Sequence, residues 1–378
     1  MARGANRGRR SASIFSNTLI MVHWCSTILV SGVHSGFHPT DSTGAIVKGR
    51  RAESEVTGGR GMGWFGRLLV GVTKRMPRFL ISFVARRYVA GSDVKSAVKV
   101  MKRLSSEGAC FTVDVLGEEI TSIEEADFFT NEYGQMLDAI IEHKLDANLS
   151  IKPTAFGLLI DEERAYSNIE QLIRAAAEHD IFVRLDMEDH RVTQPTIDIL
   201  LAMHAKGLTN VGAVLQSRLF RTAGDIDAIC TELGDAADFR ICKGIYLEAA
   251  DISETTYQPI VDAFCGHIDQ MLDRGAYTAI AGHDIPVIKH ALASLDSRGL
   301  GPAANGPRKG KGPGYEFQML LGVRGNIRRR LAKQGHRTRI YIPYGERWYE
   351  YSMRRLDENP DVAMHLTKSI LMPWTNRR

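Results

Sequence analysis

Two adjacent arginines, Arg354 and Arg355, stand in the run YIPYGERWYEYSMRRLDENP at residues 341–360. A helix over this run places Tyr351 one turn before the pair and Glu358 one turn after it, since positions three and four apart on a helix are neighbours. Arginine offers a planar fork of donors that matches the two oxygens of a carboxylate. Paired guanidiniums beside a phenol therefore read as a clamp for a small carboxylate. On a solvated helix face the same residues would form only an ordinary ion pair, and such pairs contribute at most about 1 kcal/mol. These residues alone leave both readings open.

Comparable groups recur upstream, each at or near the end of a short apolar run. They are Asp114, Lys152, Asp186 with Glu188 and Asp189, Gln216, Arg240 with Lys243, His283 with Asp284, and Gln318. Any one of them has a plain structural explanation. Together they suggest a single mouth, with cations as prominent as acids, suited to an anionic ligand, an anionic cofactor or both. No HExxH, no Cys/His cluster and no GxSxG occurs, so no metal centre and no serine-hydrolase site is expected. The five cysteines, Cys25, Cys110, Cys230, Cys242 and Cys265, are scattered without a CxxC. Neither a disulfide framework nor a zinc site follows from that pattern, and a reducing compartment is the simpler assumption.

The elements that would position these groups alternate. Strand-like runs cover residues 110–115, 149–152, 182–186, 211–216, 239–243, 277–282, 315–321 and 339–342. Most carry little charge before their C-terminal ends, as parallel strands buried on both faces do. Helical patterns fall between them at 123–144, 161–178, 194–206, 257–274 and 285–295. Ser122 with Glu125 reads as a capping box, and Thr193 before Gln194-Pro195 as a helix start. Eight such units predict an α/β protein, a (β/α)8 barrel, with chemistry at the C-terminal strand ends. The rival open sheet would carry a Gly-rich phosphate loop after its first strand, where VDVLGEEI has a single glycine.

At 378 residues the chain is long enough for one large α/β domain, and its net charge of +4 gives no reason to invoke nucleic acid. Residues 1–60 read as a dispensable or disordered extension. Arg3, Arg7, Arg9 and Arg10 precede an apolar run at 14–30 that is interrupted by Asn17, His23 and Cys25, too short for a membrane span. A native start near Met62 would account for it. Residues 61–106 read as a basic amphipathic helical arm, because no acid lies between Glu55 and Asp93 while arginines alternate with Trp64, Phe65, Phe79 and Phe83. Such an arm could lie on an anionic membrane or pack on the barrel. Residues 107–378 form the expected barrel domain. The stretch 299–314, GLGPAANGPRKGKGPG, reads as a flexible insertion.

Several motifs resemble the proline dehydrogenases. They are SIKPTAFGLLID (150–161), VRLDMED (183–189), NVGAVLQ (210–216), RICKGIYLE (240–248), AGHD (281–284), YEFQMLLGVR (315–324) and YIPYG with YSMRRLDEN (341–359), in matching order over about residues 90–367. The combination of RxxKGxY and YxxRRLxEN is specific. The resemblance implies a distorted (β/α)8 barrel with an N-terminal helical extension, carrying FAD and oxidising L-proline to 1-pyrroline-5-carboxylate. The short, single-function form is the closest in pattern, so a separate pyrroline-5-carboxylate dehydrogenase would take the next step toward glutamate. A membrane quinone is the electron acceptor so implied. The expected location is cytoplasmic and peripheral on the inner face of the membrane, or mitochondrial in a eukaryotic host.

Carried over by position, the resemblance has Arg354, Arg355 and Lys152 hold the proline carboxylate. Tyr341, Tyr351 and Leu320 would enclose the ring. Asp186 would lie near the flavin and Lys152 and help to hold that lysine's charge and orientation. Gln216, Arg240, Lys243, Gly244 and His283 would contact FAD, and Glu358 would orient the arginines and reach the cofactor. Hydride transfer needs the reacting atoms roughly 3–3.5 Å apart, and a clamp at one end of the ring with an apolar wall at the other would fix that pose. Three features depart from the family pattern: Gly282 stands where Thr is usual, Ser217-Arg218 where Ala-Tyr is common, and the stretch 299–314 is longer and richer in Gly and Pro than expected. Two other classes stay open, a barrel enzyme without flavin acting on an anionic substrate and a non-catalytic barrel that binds a small anion.

Overall fold

A computed structural model describes residues 85–302, 314–349 and 351. Eight parallel strands close into a barrel in chain order. They are β1 (Cys110–Val115), β2 (Ala147–Ile151), β3 (Val183–Leu185), β4 (Val211–Gln216), β5 (Asp238–Cys242), β6 (Tyr277–Ala281), β7 (Gly314–Leu320) and β8 (Thr338–Tyr344), and β8 pairs back onto β1. Helix α1 (Val94–Ser105) precedes β1. Helices α2 (Glu125–Glu142), α3 (Glu162–Ala177), α4 (His190–Ala205), α5 (Thr222–Leu233), α6 (Tyr257–Asp273), α7 (Ile285–Ser297) and α8 (Gly325–Lys333) follow β1 to β7 in turn. The (β/α)8 arrangement expected from the sequence is the one found.

Local chemistry explains the helices. In α3 the buried residues Ala165, Ile169, Leu172, Ile173 and Ala176 recur every three or four positions, and the Asp161 side chain caps the helix by accepting from Arg164 N–H. Two expected starts need correction. Glu125 reaches back one residue further than Ser122, accepting from the Thr121 N–H at 3.0 Å and its hydroxyl at 2.7 Å. Helix α4 begins at His190, a turn before Thr193, because Asp189 caps it by accepting from Arg191 N–H; Pro195 then lies inside the helix. Within the arm at 61–106, α1 buries Ala97, Val98, Met101 and Leu104 against α2 and β8 and leaves Lys95, Lys99, Lys102 and Arg103 exposed. Residues 61–84, 1–60 and most of the 299–314 stretch lie outside the described residues. Among the described residues no helix is long and apolar enough to cross a membrane.

The barrel's outer strand faces are apolar, but its interior is not. Buried Arg184 of β3 reaches Asp238 of β5 at 2.5 Å and also donates to the Ala213 and Asp238 carbonyls. Its bulk dictates Gly212 on β4, where a Cβ would stand 2.7 Å from Arg184 Nη1 and 2.4 Å from Asp238 O. Buried Glu316 of β7 accepts from Arg339 Nε at 2.7 Å, Gln318 Nε2 at 2.5 Å and the Tyr277 hydroxyl at 3.1 Å. Buried charges survive only when paired and hydrogen-bonded, so these contacts fix the strands to one another beneath the mouth. Tyr133 of α2 ties the upper ends of β1 and β2, accepting from Val115 N–H and donating to Ser150 O at 2.6 Å.

Candidate active site at the barrel mouth

Alternate residues of a strand share a face. Ser150 and Lys152 therefore line one inward file, Arg184 and Asp186 another, Arg339 and Tyr341 a third. At the mouth these files converge on the Asp186 carboxylate. Its Oδ1 accepts from Arg240 Nη1 at 2.5 Å and from Ser150 Oγ at 2.7 Å, and its Oδ2 accepts from the Tyr341 hydroxyl at 2.7 Å. Burial opposes ionisation of Asp186, but Arg240 and then Lys152 outweigh it and hold the carboxyl below its ordinary value. Burial, reinforced by Asp114 and Asp186, pushes the Tyr341 phenol far upward, so it serves as a neutral donor.

Arg240 spends its other donors on Gln318 Oε1 at 2.6 Å and Ser150 Oγ at 3.2 Å, with its guanidinium carbon 5.2 Å from the Tyr341 ring centre. Its Nη2 is buried and has no hydrogen-bond partner among the described residues. A buried donor left unpaired costs about 1–3 kcal/mol. A ligand acceptor placed against Arg240 would recover that energy.

Asp186 helps keep Lys152 charged, as expected, but the direct ion-pair partner of Lys152 is Asp114. Lys152 Nζ lies 2.5 Å from Asp114 Oδ1. Asp114 stands on the neighbouring strand, in register with Ser150, whereas Asp186 is already engaged by Ser150, Arg240 and Tyr341. Burial alone would lower the Lys152 pKa, but Asp114 and then Asp186 overcome it and keep the ammonium charged. Burial also pushes the Asp114 carboxyl upward, against the pull of Lys152.

Gln216, Lys243, Gly244, His283 and Leu320 stand at or just beyond the C-terminal ends of β4 to β7. Gln216 Nε2 donates to the Glu188 carbonyl at 2.8 Å. Lys243 pairs with Asp284 at 2.7 Å and lies 4.9 Å from the Tyr257 ring centre. His283 Nε2 accepts from Leu320 N–H at 3.0 Å, and burial lowers its pKa to about 4, so the ring is neutral at physiological pH. Leu320 closes β7 half-exposed. Gly244 has φ +93, and a Cβ there would stand 2.7 Å from Gln216 Oε1 and 2.8 Å from Arg218 Cδ. Both backbone and packing require glycine at this position. At Gly282 a Cβ would lie 3.2 Å from Phe264 Cε1, a tight contact that a small shift of the ring would relieve. Tyr351 N–H donates to Arg347 O at 3.2 Å. Arg354, Arg355 and Glu358 lie outside the described residues.

Sequence reasoning did not single out Ser150 or Thr154. Ser150 was findable, two residues before Lys152 and so on the same face. Thr154 was not, because its role comes from a contact between loops. Its N–H donates to Glu188 Oε1 at 3.1 Å, its hydroxyl meets Glu188 Oε2, and its Oγ accepts from Glu119 N–H at 2.9 Å. Among the described residues no three His, Cys, Asp or Glu side chains are grouped to hold a metal ion.

Comparison with known proteins bears on this mouth. Residues 97–368 match the family model for proline dehydrogenase. Proline dehydrogenase 1 of Bacillus subtilis strain 168 is 36% identical over 288 residues, covering 76% of this chain and 90% of that protein. Proline dehydrogenase of Deinococcus radiodurans is 31% identical over 293 residues, covering 76% of this chain and 90% of its own length. Among solved structures, proline utilization A of Bdellovibrio bacteriovorus, inactivated by N-propargylglycine, superposes with a TM-score of 0.65 at 21% identity and covers 74% of this chain. The chain spans 33% of that larger protein's length. A Bradyrhizobium japonicum proline utilization A variant gives a TM-score of 0.61 at 18% identity, covering 77% of this chain and 33% of its own. At these identities the solved structures bear on the fold alone.

Proposed function

This chain belongs to the proline dehydrogenase family, and on that premise we propose that it oxidises L-proline to 1-pyrroline-5-carboxylate with bound FAD and passes the electrons to a membrane quinone. A separate pyrroline-5-carboxylate dehydrogenase would consume the product on the way to glutamate. The observation that carries the reading is the buried cluster of Asp186, Arg240 and Tyr341 beside the Lys152–Asp114 pair, with no acceptor for Arg240 Nη2 among the described residues. This donor set fits a flavin ring together with a small carboxylate.

FAD supplies the two-electron acceptor for the hydride that leaves the ring carbon beside nitrogen. The rest falls to the chain. Arg354, Arg355 and Lys152 grip the substrate carboxylate, with Asp114 keeping the lysine charged. Tyr341, Tyr351 and Leu320 enclose the pyrrolidine ring and hold it flat. Asp186 fixes both Arg240 and Tyr341 and so aligns the two sides of the site. Gln216, Arg240, Lys243, Gly244 and His283 hold the cofactor, Glu358 orients the arginine pair, and the cations Arg240 and Lys243 offset arriving negative charge. The amine proton leaves to water. The basic, aromatic stretch 64–87 would dock the protein peripherally on an anionic lipid surface beside its quinone pool.

The test is product mass. FAD-loaded protein given L-proline and an artificial acceptor should yield an imine two hydrogens lighter than proline. Protein that binds FAD yet leaves proline unchanged would favour the non-catalytic barrel, and protein that never takes up flavin would favour an enzyme without it.

A further inference from the structure

Residues 243–256 run from β5 to α6 and carry Lys243, Gly244 and Tyr246. Ser253 is the buried residue of this stretch, while Ile245 and Leu247 are 51% and 92% exposed. A connection of this length that covers so little apolar surface is not held by hydrophobic packing. Polar ties hold it: Lys243 pairs with Asp284, the Tyr246 hydroxyl meets Glu118, and four more converge on Arg218, at one of the sites where this chain departs from the family pattern.

Arg218 is 7% exposed. Its Nη1 donates to the Tyr246 carbonyl and its Nε to the Glu254 carbonyl at 3.4 Å. Its own N–H donates to Lys243 O at 3.1 Å, and its carbonyl accepts from Glu254 N–H at 2.7 Å. Leu219 bridges Ser253 in antiparallel fashion, and Phe220 N–H donates to Ile252 O at 3.0 Å. One residue therefore grips both limbs of the connection. Its aliphatic stem also packs under Gly244, where a Cβ would stand 2.8 Å from Arg218 Cδ. A second, smaller tie joins Glu248 to the His190 N–H at 2.9 Å and to His190 Nδ1 at 2.6 Å.

We propose that Arg218 is a positioning residue for the cofactor site: by bridging the Tyr246 and Glu254 carbonyls it sets where Lys243, Gly244 and Tyr246 stand at the mouth. The proposal rests on the flavin reading above. Only a forked, permanently charged donor suits this role. A tyrosine has one hydroxyl donor, and a lysine concentrates its donors on one nitrogen, without the planar fork by which Arg218 reaches the two limbs from separate nitrogens.

Amide hydrogen exchange on the full, FAD-loaded chain compares wild type with Arg218→Lys and Arg218→Leu. Exchange across residues 243–254 should accelerate about tenfold or more in the leucine variant, as expected for loss of charge-assisted hydrogen bonds, with the barrel strands unchanged. The lysine variant, which keeps the charge and bulk, should fall between and covers the case in which the leucine variant fails to fold. Flavin fluorescence during FAD titration of flavin-stripped protein should give a Kd raised about tenfold in the leucine variant, equivalent to ~1.4 kcal/mol. Unchanged exchange in these variants would overturn the staple. Faster exchange with unchanged FAD Kd and unchanged KM for proline would overturn the positioning role. Wild-type protein that takes up no FAD would count against the flavin reading instead, and its exchange arm, run without FAD, would still decide the staple.

Discussion

The Tyr341 hydroxyl donates to Asp186 Oδ2 at 2.7 Å across the barrel, from β8 to the end of β3. The same carboxylate holds Arg240, so the phenol proposed to face the substrate and the guanidinium proposed to face the cofactor share one anchor. A hydrogen bond to a charged group contributes about 1.5–3 kcal/mol. Tyr341→Phe should therefore lower kcat/KM by about tenfold to a hundredfold with FAD content unchanged. Asp186→Asn should cost more, because it strands a buried guanidinium, and its thermal midpoint should fall along with its activity. Steady-state kinetics with flavin quantitation and thermal melts check both. Wild-type kinetics in Tyr341→Phe would remove this contact from the mechanism.

Asp114 is predicted to act through Lys152. In Asp114→Asn, burial would pull the Lys152 pKa down with less opposition. KM for proline should rise about tenfold, the scale of one charge-assisted contact, while kcat changes little. The alkaline limb of kcat/KM should move to lower pH, since the lysine loses its proton sooner. A pH series of steady-state kinetics separates these effects, and an unmoved alkaline limb would contradict the assignment.

Burial pushes the Glu188 carboxyl up to about 7 from its ordinary 4.5. Between those values the folded protein keeps a proton that the unfolded chain has released. Stability from this group is therefore present below the lower value and lost as pH rises through the window. The full loss is at most about 3 kcal/mol. Glu188→Gln cannot ionise, so the unfolding free energy of the variant relative to wild type should climb by about 1–3 kcal/mol between about pH 4.5 and about 7.5. Chemical denaturation at several pH values measures it, and a flat difference would refute the shift.

Arg355→Met should leave FAD bound and weaken proline binding. A bidentate charge-assisted contact in a dry site contributes about 1.5–3 kcal/mol, so kcat/KM should fall by about tenfold to a hundredfold or more. Proline titration and steady-state assays on the flavin-loaded variant test it, and unchanged kinetics would remove the arginine pair from the clamp.

Much of the barrel is legible in the chain because its strands are short apolar runs that stop at charged or glycine-rich turns. The runs at 110–115 and 211–216 have the observed limits, and the other strands moved by one or two residues. Helix α4 was placed too late because Pro195 looks like a start, although the Asp189 cap lies a turn earlier. Which residues gather at the mouth could be read from strand ends. Which of them pair could not. In an eight-stranded barrel alternate strands fill a common layer, so Asp186 of the β3 file meets Arg240 of β5, and Arg240 meets Gln318 of β7. Lys152 turns to Asp114 on adjacent β1. Sequence spacing carries no trace of such cross-barrel partners. Arg218 was visible as a departure from the family, but its hold on residues 243–256 depends on a loop path that no local pattern encodes.

The central claim is most directly tested by the visible spectrum of the FAD-loaded protein under anaerobic conditions, before and after L-proline. The account predicts flavin absorbance in the resting protein and its bleaching on addition of L-proline, with recovery when an acceptor is supplied. A bound flavin whose absorbance L-proline leaves unchanged would contradict it.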